Sequence, residues 1–389
     1  MKDIKDEIIE RNKPKEDYGQ VVGIEVRYRR TLLSQTLAAT AAKICSISYL
    51  SKIENNSIEA SPLYLREICA KVELDENQIN LLMNLKKIIE SSIISYLNND
   101  EKTLSNNFRS GKGLENFRYK IIEFIYYLYK KDINNANSIY EVLIRVSSTM
   151  SDFDLYVFSL FSGILFYYNQ FYLECFETLK LLTNLKVSNE FNILRDKYIF
   201  LALFSMNSCD TGYAYKVLRD ILFENSKYLM LEEANYIYSI FLLNNNSFYE
   251  YDNISKKITD IKYKESLRLY FDFLKKDMSL SSYDKDNLTS FARLILLTKT
   301  DKSKAEDEVD KPEIAFEYDM NKMLIKYLLI DNEADKYKFI TDVALPNAQR
   351  NNDMHNTNYF MDELASISMH NFKYKVFTTF YYKISNKTF

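Results

Sequence analysis

Short polar side chains gather where one helix of the chain is expected to begin. Ser46, Ile47 and Ser48 open this helix, and Ser51 and Lys52 follow one turn later. A helix whose first residues carry small hydroxyl groups can enter the major groove of DNA, where such groups reach base edges. The run therefore predicts a nucleic-acid partner for at least this part of the chain.

Side chains that could support catalysis or bind a metal are few and scattered. His355 and His370 lack cysteine or carboxylate neighbours at metal-ligand spacing. Residues 109–113, Arg-Ser-Gly-Lys-Gly, lack the spacing of a phosphate-binding loop. The separated cysteines are expected to be buried free thiols; they are Cys45, Cys69, Cys175 and Cys209. We predict no enzyme, no cofactor and no metal site.

Composition points to long helices. The chain has 389 residues with only 6 Gly and 4 Pro, which is too few turn residues for a fold rich in strands. The net charge of −3 excludes a globally basic protein, so DNA contact must come from a local patch. No apolar segment is long enough to span a bilayer and no secretory signal is visible, so we expect a cytoplasmic protein.

The amino-terminal part reads as a charged arm followed by a compact helical domain. Residues 1–17 alternate in charge and are expected to be an arm, and residues 18–74 are expected to fold as several short helices. Ser34 and Ser46 are predicted N-caps of the second and third helices. Pro62 suits the first position of the next helix.

Residues 75–113 are predicted to connect two domains. Apolar residues between 79 and 93 form a helical stripe that suits a connector or a dimer contact, and the polar stretch 98–113 is expected to be a hinge. Residues 114–389 read as helical hairpins whose turns recur at nearly the length of a tetratricopeptide repeat. We expect a solvated loop at 301–311 and a helix break at Pro346.

The segment Ser48-Tyr49-Leu50-Ser51-Lys52-Ile53-Glu54-Asn55 resembles the Xre-type, lambda-repressor-like helix-turn-helix family. In that family the matching helix reads the major groove. Carried over residue by residue, the resemblance implies DNA contacts from Gln35, Ser46, Ile47, Ser48, Ser51 and Lys52.

The same resemblance implies a buried ion pair and shows one departure. Arg27 and Glu54 fall where the family often has an arginine–glutamate pair between its first and third helices. The segment from Leu37 to Tyr49 is about two residues longer than the usual motif. The second helix or the following turn must therefore absorb an insertion.

A helix-turn-helix domain, a connector helix and tetratricopeptide-like hairpins together resemble the RNPP regulators, which makes the expected fold all-α with a carboxyl-terminal α-solenoid. The resemblance implies a homodimeric transcription factor that binds double-stranded DNA and a short signalling peptide. Candidate peptide contacts come from the first helices of the hairpins; they are Tyr168, Asn169, Arg195, Tyr198, Asn235 and Tyr238.

A second hypothesis stays open at the level of the sequence. The repeats could bind a partner protein instead of a peptide, which would make the chain an interaction scaffold with a helix-turn-helix module. Binding of promoter DNA with and without peptide would separate the two hypotheses.

Overall fold

The structure, a computed structural model, describes residues 4, 21–55, 58, 61–74, 76–110, 116–184, 188–275, 277–278, 283–311, 320–350, 354–370 and 378. Regular structure in these residues is helical, which confirms the predicted all-α class. The predicted arm at 1–17 lies outside them, apart from residue 4. Within these described residues, no helix has both the length and the apolar composition of a membrane-spanning segment.

The head, by which we mean residues 21–74, contains short helices. They are α1 (Val21–Leu32), α2 (Leu37–Ala41), α3 (Ile47–Glu54) and α4 (Pro62–Lys71). Pro62 opens α4, as predicted.

The cap of α2 lies two residues later than predicted. Thr36, not Ser34, caps this helix, and its hydroxyl accepts a hydrogen bond from the Ala39 amide at 3.1 Å. Ser34 has a φ of 53° and Lys43 a φ of 68°, so left-handed residues bracket the five-residue α2. A left-handed residue cannot take the extended backbone conformation of an N-cap, which explains the shift to Thr36.

A helix also occupies most of the stretch expected to be a hinge. Helix α5 (Glu76–Leu97) is followed by α6 (Glu101–Ser110). Leu104 is buried and the Phe108 ring stacks on Tyr126 with centroids 4.3 Å apart. These two apolar residues share one helix face among polar neighbours, which makes the stretch read as coil in sequence. Gly111 and Gly113 lie outside the described residues.

Helical hairpins follow, close to the predicted boundaries. Their helices are α7 (Phe117–Tyr129), α8 (Ile133–Val146), α9 (Asp152–Tyr168), α10 (Tyr172–Lys180), α11 (Asn189–Ser205), α12 (Thr211–Glu224), α13 (Tyr228–Asn244), α14 (Phe248–Ser255) and α15 (Ile261–Leu274). Helices α9 and α10 pack closely at Gly163, where an added Cβ would lie 2.5 Å from Leu179 Cδ2.

The turns between the hairpin helices use residues other than glycine in the left-handed region. The residues with positive φ at these turns are Lys131, Gln170, Asn207, Ser226 and Asn246. Each is followed within a few residues by a new helix, so the left-handed residue ends one helix and redirects the chain.

The carboxyl-terminal helices correct two expectations. They are α16 (Ser290–Thr300), α17 (Lys302–Val309), α18 (Met320–Leu328), α19 (Glu333–Phe339), α20 (Leu345–Arg350) and α21 (Met354–His370). The charge run expected to be a loop forms α17, because Asp301 caps it and Ala305 and Val309 are buried on one face. The last predicted hairpin helix, at 373–384, lies largely outside the described residues.

Pro346 does not end the helical path. A π-helical turn at Ile340–Ala344 precedes it, and the Leu345 amide bonds to the carbonyl oxygen of Ile340. Pro346 then lies in the first turn of α20, directly after this π-helical turn.

The chain divides into two compact units. The first contains Met1–Asn169 and Glu174–Arg195, and the second contains Gln170–Leu173 and Asp196–Phe389. The head therefore belongs to the same unit as the first hairpins, and within that unit α1 contacts α5 and the 3₁₀ turn Ser147–Thr149.

The cysteines differ in burial, although all were expected to be buried. Cys69 and Cys175 are buried, Cys45 is half-buried and Cys209 is exposed. Cys209 lies in the turn before α12 and not on an apolar helix face, which explains its exposure.

Candidate nucleic-acid interface

Helix α3 is fixed in the head by one side and presents the other to solvent. Leu50 and Ile53 are fully buried on its inner side. Ser46 caps the helix as predicted, and its hydroxyl accepts a hydrogen bond from the Tyr49 amide at 3.1 Å. The cap and the apolar pair determine which residues of α3 face outward.

The outward face of α3 consists of Ile47, Ser48 and Lys52, all exposed. Ile47 keeps 51% of its surface in solvent, which is large for an apolar side chain. This face presents a hydroxyl group, an ammonium group and an apolar side chain. These groups can contact a base edge, a phosphate and a thymine methyl group, respectively.

The remaining predicted contacts on α3 already have partners inside the head. Ser46 is engaged by its capping hydrogen bond. Ser51 is half-buried, and its hydroxyl accepts a hydrogen bond from Asn55 Nδ2 at 3.4 Å. Both serines can still donate their hydroxyl hydrogens, and their contact with DNA stays a prediction.

Gln35 lies beside the start of α2 and holds the head together. Its Oε1 accepts a hydrogen bond from Thr40 Oγ1 at 2.9 Å, and its Nε2 donates to the Lys71 carbonyl oxygen at 3.4 Å. A DNA contact from Gln35 would compete with these bonds, so its predicted role is untested.

The partner of the buried Glu54 carboxylate is the half-buried Arg30 and not the predicted Arg27. Arg30 Nε and Nη2 donate to the two Glu54 carboxylate oxygens at 2.7 and 2.9 Å, and Arg30 Nη1 donates to the Gln35 carbonyl oxygen at 2.8 Å. Arg27 Nη1 donates to Asn55 Oδ1 at 3.4 Å. The two arginines are three residues apart on one face of α1, so their spacing in sequence does not separate them.

Tyr49 has a role that the sequence did not indicate. Its hydroxyl oxygen accepts a hydrogen bond from the Ser61 amide at 3.1 Å, and its ring meets Tyr64 edge-on with centroids 5.5 Å apart. Ser61 makes no side-chain capping bond to α4, so Tyr49 fixes the entry to α4 instead. No sequence motif marks this pairing.

The predicted peptide contacts in the first unit are Tyr168, Asn169 and Arg195. The Tyr168 hydroxyl lies 3.5 Å from that of Tyr96, and Asn169 Nδ2 donates to Asn137 Oδ1 at 3.0 Å. Arg195 is buried and donates to Asn192 Oδ1 at 2.7 Å. Each of them therefore has an intramolecular partner.

Those in the second unit are Tyr198, Asn235 and Tyr238, and all are buried. Asn235 Oδ1 accepts a hydrogen bond from Tyr215 Oη at 2.7 Å, and Tyr215 stacks on Tyr238 with centroids 4.0 Å apart. Burial raises the pKa of Tyr215 to about 12 and also raises the pKa of Tyr238. Peptide contact by these residues stays a prediction.

A small, largely apolar cavity lies in the second unit. It is lined by Lys197, Phe200, Leu201, Leu218, Leu222, Met230, Glu233, Ala234 and Ile237. Lys197 Nζ and Glu233 Oε2 form an ion pair of 2.9 Å in this lining. This pair is the charged part of an otherwise mostly apolar lining.

Known proteins show limited similarity. No family model matches the chain. The transcriptional activator NprA of Geobacillus stearothermophilus is 28% identical over 149 residues, or 35% of this chain, and the chain spans about a third of this curated relative (36%). The crystal structure of Bacillus thuringiensis PlcR in complex with the peptide PapR7 and DNA has 18% identity and a TM-score of 0.38, over 66% of this chain and 96% of that chain. The chain is thus similar in sequence, over about a third of its length, to a curated transcriptional activator.

Proposed function

We propose that the protein is a cytoplasmic, homodimeric transcriptional regulator that binds double-stranded DNA through α3. In this proposal the helical repeats bind a short signalling peptide, which changes the separation of the two heads of the dimer and thereby operator binding. Two heads must lie about one turn of DNA apart to occupy both halves of an operator. A peptide that prefers one arrangement of the repeats can shift that separation.

The outward face of α3 carries the proposal. Ile47, Ser48 and Lys52 are exposed, while Leu50 and Ile53 hold the helix from behind. The similarity to a curated transcriptional activator adds support from sequence. The peptide part rests on the resemblance to the RNPP regulators and on the helical repeats.

Gel-shift titration with DNA from the promoter region of the protein's own gene tests DNA binding. We expect Ser48→Ala combined with Lys52→Ala to lower specific affinity about 10- to 100-fold, because a direct base or phosphate contact contributes on the order of 1–3 kcal/mol. The matched control is Lys216→Ala, which removes an exposed helical lysine of α12. It should leave the affinity unchanged.

Titration with salt gives a second readout. The logarithm of the affinity should fall linearly with the logarithm of salt concentration, and Lys52→Ala should reduce that slope by about one phosphate. Absence of promoter binding at every salt concentration, with and without peptide, would refute the regulator hypothesis.

The peptide part needs its own measurement. Synthetic peptides encoded by a short reading frame beside the gene should bind the full-length chain in calorimetry and change its DNA affinity. If a partner protein changes the DNA affinity and peptides do not, the scaffold hypothesis replaces this part of the proposal.

A further inference from the structure

Helix α1 makes polar contacts with other elements at two points along its length. Arg30, near its carboxyl end, holds Glu54 of α3. Glu25, five residues earlier, holds Asn116 immediately before α7. At 1.5 Å per residue these points are about 7.5 Å apart along a rigid helix. Helix α1 therefore connects the first hairpin, which consists of α7 and α8, to α3, whose outward face is the proposed DNA contact.

The Asn116 side chain both donates and accepts hydrogen bonds. Its Nδ2 donates to the two Glu25 carboxylate oxygens at 3.2 and 3.3 Å, and its Oδ1 accepts a hydrogen bond from the Arg118 amide at 2.8 Å. The second bond caps α7. The orientation of the Asn116 amide is thus determined by α7, and the position of Glu25 follows from it.

The start of α7 is in turn fixed on α9. Arg118 donates to both Asp154 oxygens, from Nε at 3.0 Å and from Nη2 at 2.8 Å. Ser151 Oγ donates to the same carboxylate at 2.7 Å. Glu25, Asn116, Arg118 and Asp154 are all buried, and we call these four residues the joint.

Within the joint, burial disfavours the charged form of the Glu25 carboxyl group. Only 2% of Glu25 is exposed, and burial raises the pKa of its carboxyl group. Arg29, Arg118 and the Asn116 hydrogen bond act in the opposite direction. A buried carboxylate that lost these partners would be costly, so Glu25 and Asn116 should separate only with difficulty.

We infer that Glu25 and Asn116 are positioning residues through which the first hairpin fixes the orientation of α3. A head on a flexible tether would have no buried polar contact with the hairpins. Here a rotation of α7 moves Asn116, Glu25 moves with it, and the rigid α1 carries the change to Arg30 and Glu54. The inference deepens the proposed function and rests on it for its effect on DNA binding.

An exchange of donor and acceptor tests the inference in the full-length chain. Asn116→Asp places two carboxylates against each other while still offering an oxygen to cap α7. Combining it with Glu25→Gln restores one amide and one carboxylate in swapped positions. A double-mutant cycle then isolates the contact between them.

Hydrogen exchange of the α1 amides is the first readout and needs no DNA. Asn116→Asp should increase the opening of α1 about 100-fold, the size expected when a buried hydrogen bond to a carboxylate is lost. In the double variant, the opening of α1 should return most of the way to the value of the wild-type chain. Asn332→Asp, at the exposed N-cap of α19, is the matched control and should change nothing in α1.

DNA spacing is the second readout, and it separates positioning from general stability. The wild-type chain should prefer one distance between two operator half-sites, and Asn116→Asp should flatten that preference while leaving affinity for a single half-site nearly unchanged. The double variant should recover the preference. An equal loss of affinity for all these DNAs would show a merely structural role and overturn the inference.

The two proposals can fail separately. If the wild-type chain binds no DNA, the proposed function fails, and hydrogen exchange still decides whether the joint holds α1. If DNA binds and Asn116→Asp changes neither exchange nor spacing preference, the inference fails alone. Should Asn116→Asp not fold, Glu25→Gln serves instead, with a smaller increase in exchange expected; an unchanged α1 would then refute the inference.

Discussion

The outward face of α3 and the candidate peptide contacts of the second unit differ in how far their side chains are engaged. On α3, Ser48 and Lys52 are exposed and turned away from the core of the head. In the second unit, Asn235 and Tyr238 are buried, and Asn235 accepts a hydrogen bond from Tyr215. The first surface can meet a partner without rearrangement, whereas contact by the buried residues requires existing bonds to be exchanged.

The largest expected effect concerns the buried ion pair of the joint. Asp154→Ala removes the carboxylate that accepts hydrogen bonds from the buried Arg118 guanidinium, which should lower the free energy of unfolding by about 3–5 kcal/mol. Chemical denaturation followed by circular dichroism measures it. Asp220→Ala breaks the exposed Arg219–Asp220 pair and should cost less than about 1 kcal/mol. Similar losses in both variants would contradict the contrast between buried and exposed charge.

A smaller loss is expected at the predicted peptide contacts. Asn235→Ala removes the acceptor of the buried Tyr215 hydroxyl, and an unsatisfied buried donor costs about 1–3 kcal/mol. Adding Tyr215→Phe removes that donor and should recover part of the loss. If Asn235→Ala left stability unchanged, the residue would be less engaged than described, and the contrast between the two surfaces would weaken.

Tyr49→Phe should have a still smaller effect on stability. The change removes the acceptor for the Ser61 amide and keeps the ring against Tyr64, so about 1 kcal/mol should be lost. Thermal unfolding measures the loss. Because α4 would be less firmly held, hydrogen exchange in 62–71 should increase. Unchanged exchange there would show that Tyr49 does not fix α4.

The smallest effect on stability is expected for the outward face itself. Ser48→Ala with Lys52→Ala removes two exposed side chains and should change the free energy of unfolding by no more than about 0.5 kcal/mol. Denaturation carried out beside the gel-shift assay tests this. A loss above about 2 kcal/mol would mean that these residues support the fold, and the comparison with the buried residues would collapse.

The sequence predicted most helices because apolar residues recur at helical spacing and because caps are local. Ser46 was correctly predicted as a cap, since one hydroxyl and the following apolar residues suffice to identify it. The prediction of Ser34 as a cap was wrong because its left-handed backbone depends on how the chain turns after α1. Helix α17 was missed because Ala305 and Val309 supply only a narrow apolar face within a charged run.

The hydrogen-bond partners of individual side chains were harder to predict from the sequence than the helices. Arg27 and Arg30 lie on one face of α1, and only the approach of α3 selects Arg30 for Glu54. Asn235 and Tyr238 carry groups that suit either a ligand or an internal bond, and burial decides between these uses. Burial depends on the packing of neighbouring helices, which a single sequence does not specify.

The left-handed residues at the hairpin turns have a practical consequence. Lys131, Gln170 and Ser226 hold a backbone conformation that side chains with a Cβ resist, so each corner stores a little strain. Glycine would relax that strain at these turns, although it would also loosen the unfolded chain. Substitutions at these hairpin turns could thus be used to change the rigidity of the repeats one turn at a time.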